Sequence, residues 1–158
     1  PAVCVAVKPV LERAARMLQP VAGQREVELT CRADEAAAVR ATEGDVHQIL
    51  YNLMENGVKY TAPGGFVHTS VSVEEGRVVI TVSDNGIGIP VEDMPHIFER
   101  FYRVDKARSR QIGGTGLGLS IVGDTVQRRG GEIGVAPREG GGTVFTVSFP
   151  QAEPEVTA

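Results

Sequence analysis

The chain has 158 residues, of which 42% are hydrophobic and 23% are charged, and its formal net charge is -4. This balance predicts one globular domain with its own core and excludes extensive intrinsic disorder. It offers no broad basic surface for duplex nucleic acid, and no apolar stretch approaches the roughly 20 residues that span a bilayer. Two distant cysteines, Cys4 and Cys31, indicate neither a disulfide scaffold nor a zinc site, which fits a reducing cytosol.

The first half of the chain predicts two helices separated by short strands. Apolar residues recur at helical spacing from Val10 to Val21, and Gly23 can close that helix. Alternating residues at 27–31 and 39–42 predict two short strands. From Val46 to Val58 the apolar residues recur every three or four positions, so we expect a helix that faces the core.

The second half predicts two hairpins and a third helix. Residues 67–82 alternate around a central turn, which predicts a pair of antiparallel strands. Residues 92–111 are rich in charge and predict a loop. The glycines of 113–118 lead into a helix that ends near Gly130, and a closing hairpin follows around 138–142.

The order of these elements predicts an α/β two-layer sandwich. Because the strands come mainly as hairpins, we expect a single sheet, mixed but mostly antiparallel, with helices on one face. Strict alternation of strand and helix is missing, which disfavours a doubly wound parallel sheet. We expect one domain over residues 1–150 and a frayed polar tail over residues 151–158.

The glycine clusters suggest phosphate binding, because bare backbone N–H groups can converge on an anion. A P-loop is excluded, since Asp124 follows Gly118 to Gly123 where that motif needs lysine. The dinucleotide fingerprint is excluded because its third glycine position holds Val91 in one cluster and Ile121 in the other. The companion motifs of a protein-kinase glycine loop are absent as well. A phosphate site of another design remains.

The second helix carries a polar stripe of Asn52, Asn56 and Lys59 at spacings of four and three residues. Amide oxygens suit Mg²⁺, which commonly keeps waters and substrate phosphates as its other ligands, and the lysine adds a charge for phosphate. Taken alone, the stripe is more typical of a solvated helix face than of a ligand site.

Asp84 follows a predicted strand and opens the sequence Asp84-Asn85-Gly86, which is also ordinary turn chemistry. Gly86 and Gly88, beside an Ile87 and an Ile89 that we expect to be buried, would let a flat heterocycle slide against backbone. Asp84 would then accept the hydrogens of an amino group. The loop therefore predicts either a turn or a purine-recognising site.

Aromatic and basic residues alternate between positions 98 and 103. Phe98, Phe101 and Tyr102 lie at near-helical spacing, which favours core packing over ligand stacking. Arg100 and Arg103 fit either surface ion pairs or contacts with phosphate oxygens.

These fragments together resemble the motifs of sensor histidine kinases, in order along nearly the whole chain. The N box resembles residues 52–61 (NLMENGVKYT), the G1 box 84–88 (DNGIG), the F box 98–103 (FERFYR), the G2 box 114–119 (GTGLGL), and the last glycine box 140–143 (GGGT). The resemblance implies the Bergerat-type ATP-binding fold of the GHKL superfamily. One departure is Gly57, where the family usually has alanine, and we expect from it a slightly looser helix without a lost contact.

The resemblance also implies roles for individual residues. Asn56 would be the Mg²⁺ ligand with Asn52 beside it, Lys59 and Arg103 would approach the phosphates, and Asp84 would bind the adenine amino group. The lid, over about 96–115, would close through glycine hinges. The implied nucleotide-binding set comprises Asn52, Asn56, Lys59, Tyr60, Asp84, Gly86, Gly88, Ile89, Phe101, Arg103, Gly114, Thr115, Gly116, Leu117, Gly118 and Thr143. Asn52, Lys59 and Arg103 are the implied catalytic residues.

Phosphoryl transfer is favoured over hydrolysis. Hydrolases of this fold place a glutamate one helical turn before the metal-binding asparagine, and this chain has Asn52 there, which cannot accept a proton. Glu55 is turned about 100° away from Asn56 on the helix. Water attack should therefore be slow, which leaves the γ-phosphoryl group for another nucleophile.

The partners follow from the resemblance. None of His47, His68 and His96 has the context of a phosphoacceptor, so we expect a catalytic fragment that is monomeric and does not phosphorylate itself. The acceptor histidine would lie on a dimerisation domain of the same full-length protein, a membrane-anchored homodimer that passes the phosphoryl group to a response regulator. We expect the catalytic domain itself to be cytoplasmic. Two alternatives stay open: a serine kinase of the anti-sigma-factor type, and a nucleotide-binding module without transfer activity.

Overall fold

The computed structural model describes residues 1–100, 102 and 118–153. These residues form helices α1, α2 and α3, one 3-10 helix and strands β1 to β7. In chain order they are β1 Val3–Ala6, α1 Val7–Gln24, β2 Glu28–Ala33, β3 Ala38–Ala41, α2 Glu43–Lys59, β4 Phe66–Glu74, β5 Arg77–Asp84, the 3-10 helix Val91–His96, α3 Gly118–Arg128, β6 Glu132–Pro137 and β7 Thr143–Pro150.

The strands form two sheets. The larger has five strands in the order β2-β4-β5-β7-β6, antiparallel except for the parallel pair β2 and β4. The smaller pairs β1 antiparallel to β3. The predicted α/β sandwich with a mixed, mostly antiparallel sheet is confirmed, but the expected single sheet is wrong. The smaller sheet joins segments about 35 residues apart, and such pairing leaves no local pattern in the sequence.

The core lies between the larger sheet and the helices. Along β4, β5 and β7 every second side chain is buried against the helical layer, while the intervening side chains are half-buried or exposed. Leu53 and Val58 of α2 and Phe145 of β7 are among the fully buried residues. Each such side chain contributes about 1.5–3 kcal/mol relative to leaving it exposed. This burial fixes α2 against the sheet.

The helix boundaries differ slightly from those predicted. The helix α2 begins at Glu43, three residues before the apolar pattern that starts at Val46, because the Thr42 Oγ1 atom accepts the Asp45 N–H at 3.0 Å and caps the helix. The helix α1 runs to Gln24, so Gly23 lies inside it and does not close it. The chain leaves α1 at Arg25, whose N–H still bonds to the carbonyl of Val21.

The start of the predicted tail is held in place by hydrogen bonds. The Gln151 N–H donates to Gly76 O and the Ala152 N–H donates to Ala38 O, both at 2.9 Å. Residues 151 and 152 are therefore hydrogen-bonded to the body of the domain, and residues 154–158 lie outside the described part. Among the described residues, no helix has the length and apolar character needed to cross a membrane.

Candidate functional site

The end of α2 meets the loop that follows β5. The Ile87 N–H donates to Tyr60 O at 3.1 Å. A Cβ atom at Gly86 would lie only 2.3 Å from the same carbonyl, so no larger residue fits there. From the sequence, this glycine is expected to let a ligand approach the backbone. The structure gives a different reason, since the loop packs directly on the last turn of the helix.

Asp84 ends β5 and is the buried acid of this site, with 4% of its surface exposed. Its Oδ1 atom accepts the Gly86 N–H at 2.9 Å, and the Thr143 N–H also bonds to the carboxylate. Burial raises the pKa of Asp84, and the two N–H groups together with the positive charge of Arg138 oppose that shift. The result is a carboxylate fixed in direction, with a raised pKa and strong acceptor character.

Gly57 brings α2 close to this carboxylate. A Cβ atom at Gly57 would lie 3.0 Å from a methyl group of Val67 on β4 and 3.6 Å from Asp84 Oδ2. Since Gly57 directly follows Asn56, the helix that carries the amide stripe and the strand that carries the acid are in contact. The missing side chain thus has a packing reason, in addition to its effect on helix propensity.

The polar stripe of α2 lies on the half-buried side of the helix. Lys59 Nζ is 3.5 Å from Glu55 Oε1, one turn earlier, and each side chain is 33% exposed. Burial, followed by the charge and hydrogen bond of Glu55, raises the pKa of Tyr51. Within the described residues, the side chains of Asn52 and Asn56 make no hydrogen bond. Their amide oxygens are free to bind a ligand.

The donor set is suited to Mg²⁺ bound together with phosphates. The described residues hold no cluster of three or more His, Cys, Asp or Glu side chains that could enclose a metal ion. An amide oxygen next to a lysine fits a metal whose remaining ligands are phosphate oxygens and water.

The loop between β6 and β7 covers the other side of Asp84. Gly140, Gly141 and Gly142 have φ values of 89°, 114° and 107°, which disfavour residues with a side chain. A Cβ atom at Gly142 would lie 1.9 Å from the Asp84 carbonyl oxygen. This contact presses the loop onto the end of β5 and buries Thr143.

The remaining predicted residues lie in different surroundings. Tyr60 and Ile89 are half-buried near the site, and Gly88 has a φ of 75° with its Cβ position 3.6 Å from Gly142 O. Gly118 is exposed at the start of α3. Ile87 is 49% exposed, so its expected burial is wrong. Outside the described residues lie Phe101, Arg103, Gly114, Thr115, Gly116 and Leu117.

Two aromatic residues of the F-box region have clear partners. Phe98 packs beside Gly123, whose Cβ position is 3.3 Å away, and its ring meets that of Phe145 edge-on at 6.2 Å. Its predicted core packing is confirmed. The Tyr102 hydroxyl donates to Asp93, and its ring lies 5.5 Å from that of His96.

Three residues near the site have contacts that the sequence did not predict. Arg25 donates to Val58 O at 3.1 Å and to Lys59 O at 2.7 Å, and so satisfies carbonyl groups at the end of α2. Arg138 lies over the ring of Phe66. The Thr61 hydroxyl is buried beside Gly86 without a hydrogen-bond partner among the described residues. Isolated arginines and threonines resemble surface residues in a sequence, and only the fold reveals their contacts.

A comparison with known families agrees with this geometry. Residues 41–153 match the family described as histidine kinase-, DNA gyrase B-, and HSP90-like ATPases. The chain belongs to this family. Membership in this ATPase family implies ATP binding and agrees with the GHKL-type fold expected from the sequence.

Individual relatives narrow the comparison to sensor histidine kinases. WalK of Bacillus subtilis is 45% identical over 122 residues, which are 76% of this chain and 20% of WalK. Full-length ShkA in complex with AMPPNP superimposes with a TM-score of 0.80 and 31% identity, over 96% of this chain and 32% of that chain. The catalytic domain of ThkA shares the fold with a TM-score of 0.84 at 23% identity, over 96% of each chain. The chain thus spans a fifth of WalK and about a third of ShkA.

Proposed function

We propose that this chain is the ATP·Mg²⁺-binding catalytic part of a sensor histidine kinase. It would donate the γ-phosphoryl group of ATP to a histidine on a separate dimerisation domain of the same protein. The observation that supports this most directly is the contact between the two halves of the site. The Cβ position at Gly57, next to Asn56, lies 3.6 Å from Asp84 Oδ2. One nucleotide can therefore reach both the acid and the amide stripe.

Each half of the site has a task in this proposal. Asp84 accepts the hydrogens of the purine amino group, and Thr143 supports the base. The Asn56 amide oxygen holds the metal with Asn52 beside it, and Lys59 approaches the phosphates. Bound Mg²⁺ would neutralise the developing negative charge of the transferred group. Arg103 and the glycines of the lid, both outside the described residues, are proposed to close over the phosphates.

The proposal favours transfer over hydrolysis. Asn52 occupies the position one turn before Asn56, and an amide cannot take a proton from water. Glu55 is engaged with Lys59, at 3.5 Å, and with Tyr51. The γ-phosphoryl group is thereby reserved for an acceptor that another domain supplies.

The partners of the full-length protein belong to the same proposal. ThkA has been solved in complex with a response regulator, TrrA. By analogy, the phosphohistidine would pass its phosphoryl group to a cognate response regulator. We further propose that the full-length protein is a membrane-anchored homodimer, that its catalytic domain is cytoplasmic, and that the isolated chain is a monomer.

Calorimetric titration with a non-hydrolysable ATP analogue, with and without Mg²⁺, tests the binding site. Asp84→Ala and Asn56→Ala should each weaken binding by about 1.5–3 kcal/mol, the size expected for the loss of one contact with a charged group. For Asn56→Ala the loss should appear only when Mg²⁺ is present. Asp124→Ala, on the exposed side of α3, is the control and should bind as the wild type does.

Transfer is tested with labelled ATP. The chain alone should incorporate no label, and adding the dimerisation domain of the full-length protein should produce acid-labile phosphohistidine on that domain. Label on the isolated chain would contradict the proposal. So would steady release of phosphate from ATP while the added dimerisation domain stays unphosphorylated.

A further inference from the structure

Arg138 occupies the first position of the loop between β6 and β7 and organises it. Its N–H donates to Gly142 O at 3.1 Å, its carbonyl accepts the Gly141 N–H at 3.0 Å, and its guanidinium Nη1 donates to Gly141 O at 3.0 Å. Its Cζ atom lies 4.9 Å from the centroid of the Phe66 ring, within the range of a cation–π contact. One side chain thus ties the glycine loop to the start of β4.

The loop that Arg138 holds is in direct contact with Asp84. Gly142 packs so closely on the Asp84 carbonyl that a Cβ atom would lie 1.9 Å from it. The next residue, Thr143, bonds to the Asp84 carboxylate through its N–H and pairs with Asp84 in the sheet. A shift of the loop would therefore move a donor that orients the carboxylate.

Phe66 connects Arg138 to the opposite side of the acid. The Phe66 N–H donates to Asn85 Oδ1 at 2.7 Å, and Asn85 directly follows Asp84. Residues 84 and 85 are therefore held from two sides, by Phe66 at the start of β4 and by the loop between β6 and β7 that Arg138 organises. A planar guanidinium can stack on a ring and donate to a carbonyl at the same time, which a lysine cannot reproduce.

The positive charge of Arg138 also favours binding by Asp84, because it favours the ionised form of the carboxylate. Burial raises the pKa of Asp84, while the N–H groups of Gly86 and Thr143 and the charge of Arg138 lower it. An ionised carboxylate is the stronger acceptor for an amino group. Removing Arg138 would thus weaken both the orientation and the acceptor strength of the acid.

We propose that Arg138 is a positioning residue for purine recognition: by stacking on Phe66 and binding Gly141, it holds Asp84 and Thr143 in the geometry that selects a 6-amino purine nucleotide. This inference rests on the proposed function, because it assumes that Asp84 binds the base. Arg138 acts through these neighbours and needs no contact with the nucleotide. The property that it controls is the preference for ATP over inosine triphosphate, which carries a 6-oxo group and cannot donate there.

The test compares the dissociation constants of ATP and inosine triphosphate, both with Mg²⁺, for the wild type and for Arg138→Gln. We expect the wild type to prefer ATP. Arg138→Gln should reduce that preference roughly three- to tenfold, the size of an ordinary coupling between neighbouring groups, and change inosine triphosphate binding less than about twofold. Arg138→Lys keeps the charge and should recover part of the preference. Arg16→Gln, on the exposed side of α1, should leave the preference unchanged.

A purely structural role gives a different pattern. If Arg138→Gln weakens both nucleotides by the same factor, or leaves their ratio unchanged, Arg138 does not position the acid and the inference is wrong. If Arg138→Gln fails to fold, Phe66→Leu removes the stacking partner and must lower the preference in the same way. A wild type that binds neither nucleotide, or binds both equally, would overturn the proposed role of Asp84 as well.

Discussion

Asp84 is the residue at which function and stability are opposed. Because burial raises its pKa, the folded state holds the proton more tightly than the unfolded state does. Its stabilising contribution is therefore complete below its ordinary pKa of 3.8 and is lost as the pH rises through the higher value of the folded state. At neutral pH the ionised acid therefore lowers the free energy of unfolding. We expect this loss of stability where a buried carboxylate is kept to bind a ligand.

The replacement Asp84→Asn separates these two effects. Its amide oxygen can still accept the two backbone N–H groups, but its NH₂ group would face the purine amino group with a donor. We expect ATP binding to weaken by about 1.5–3 kcal/mol, while the free energy of unfolding at pH 7 stays equal to or above that of the wild type. Titration and urea unfolding measure the two quantities. A clear loss of stability at pH 7, not shared by Asp124→Asn, would show that the charge is stabilising.

At Gly142 both the positive φ angle and the lack of room for a Cβ atom require glycine. With a φ of 107° and its Cβ position 1.9 Å from the Asp84 carbonyl oxygen, Gly142→Ala should lower stability by about 3 kcal/mol. Gly64 has a φ of 90° but no atom within 4 Å of its Cβ position, so Gly64→Ala should cost only about 1 kcal/mol. Urea unfolding compares the two variants. Equal losses would mean that the close contact with Asp84 adds nothing.

At the scale of elements, α3 is joined to α2 by polar contacts. Asp45 near the start of α2 binds Arg129 Nε at 2.6 Å and Arg128 Nη2 at 3.3 Å, and the Thr125 hydroxyl donates to Gln48 Oε1 at 3.0 Å. The helix α3 begins directly after the glycine-rich segment that the sequence assigns to the lid. These contacts lie in the second half of α3 and just after it, and they hold the helix that follows the proposed lid against α2.

The charge of Asp45 should make this anchor sensitive to acid. Burial raises the pKa of Asp45, but hydrogen bonds from Arg129 and Thr42 and the charges of Arg129 and Arg128 outweigh it and lower the pKa below 3.8. The contribution is thus present above pH 3.8 and is lost as the pH falls through the lower value of the folded state. Asp45→Asn should lower stability at pH 7 by about 1.5 kcal/mol.

The control for this prediction is an exposed ion pair. Glu35 binds Lys8 at 3.0 Å, but the Glu35 side chain is 84% exposed, so Glu35→Gln should change stability by less than about 0.5 kcal/mol. Urea unfolding at pH 7, and again well below pH 4, compares both variants with the wild type. The prediction is wrong if the effect of Asp45→Asn persists unchanged in acid.

At the scale of the whole molecule, local pattern predicted the elements better than their long-range pairing. The periodicity of α2 and the alternation in β4 and β5 are set by which side chains face the core, so both were predicted correctly. The parallel pairing of β2 with β4 joins segments that are about 38 residues apart, and no turn connects them. Asp84 could be assigned from its sequence motif. The contacts of Arg138 with Phe66 and Gly141 could not be predicted from the spacing of residues in the sequence.

The junction of the two sheets is the clearest case of such a long-range contact. Gln151 follows the last strand of the larger sheet, and its side chain reaches the smaller one. Its Oε1 atom accepts the Ala38 N–H at 3.1 Å, and its Nε2 atom donates to Ala36 O at 2.7 Å. Two backbone groups more than 100 positions earlier in the chain are thereby satisfied by one amide.

Gln151→Ala leaves both backbone groups without that partner, and we expect stability to fall by about 1–2 kcal/mol. Gln127→Ala, on the exposed side of α3, should stay within about 0.5 kcal/mol of the wild type in the same urea titration. Hydrogen exchange adds a local measurement: the Ala38 amide should exchange faster in Gln151→Ala, and unchanged protection there would mean that the amide does not join the two sheets.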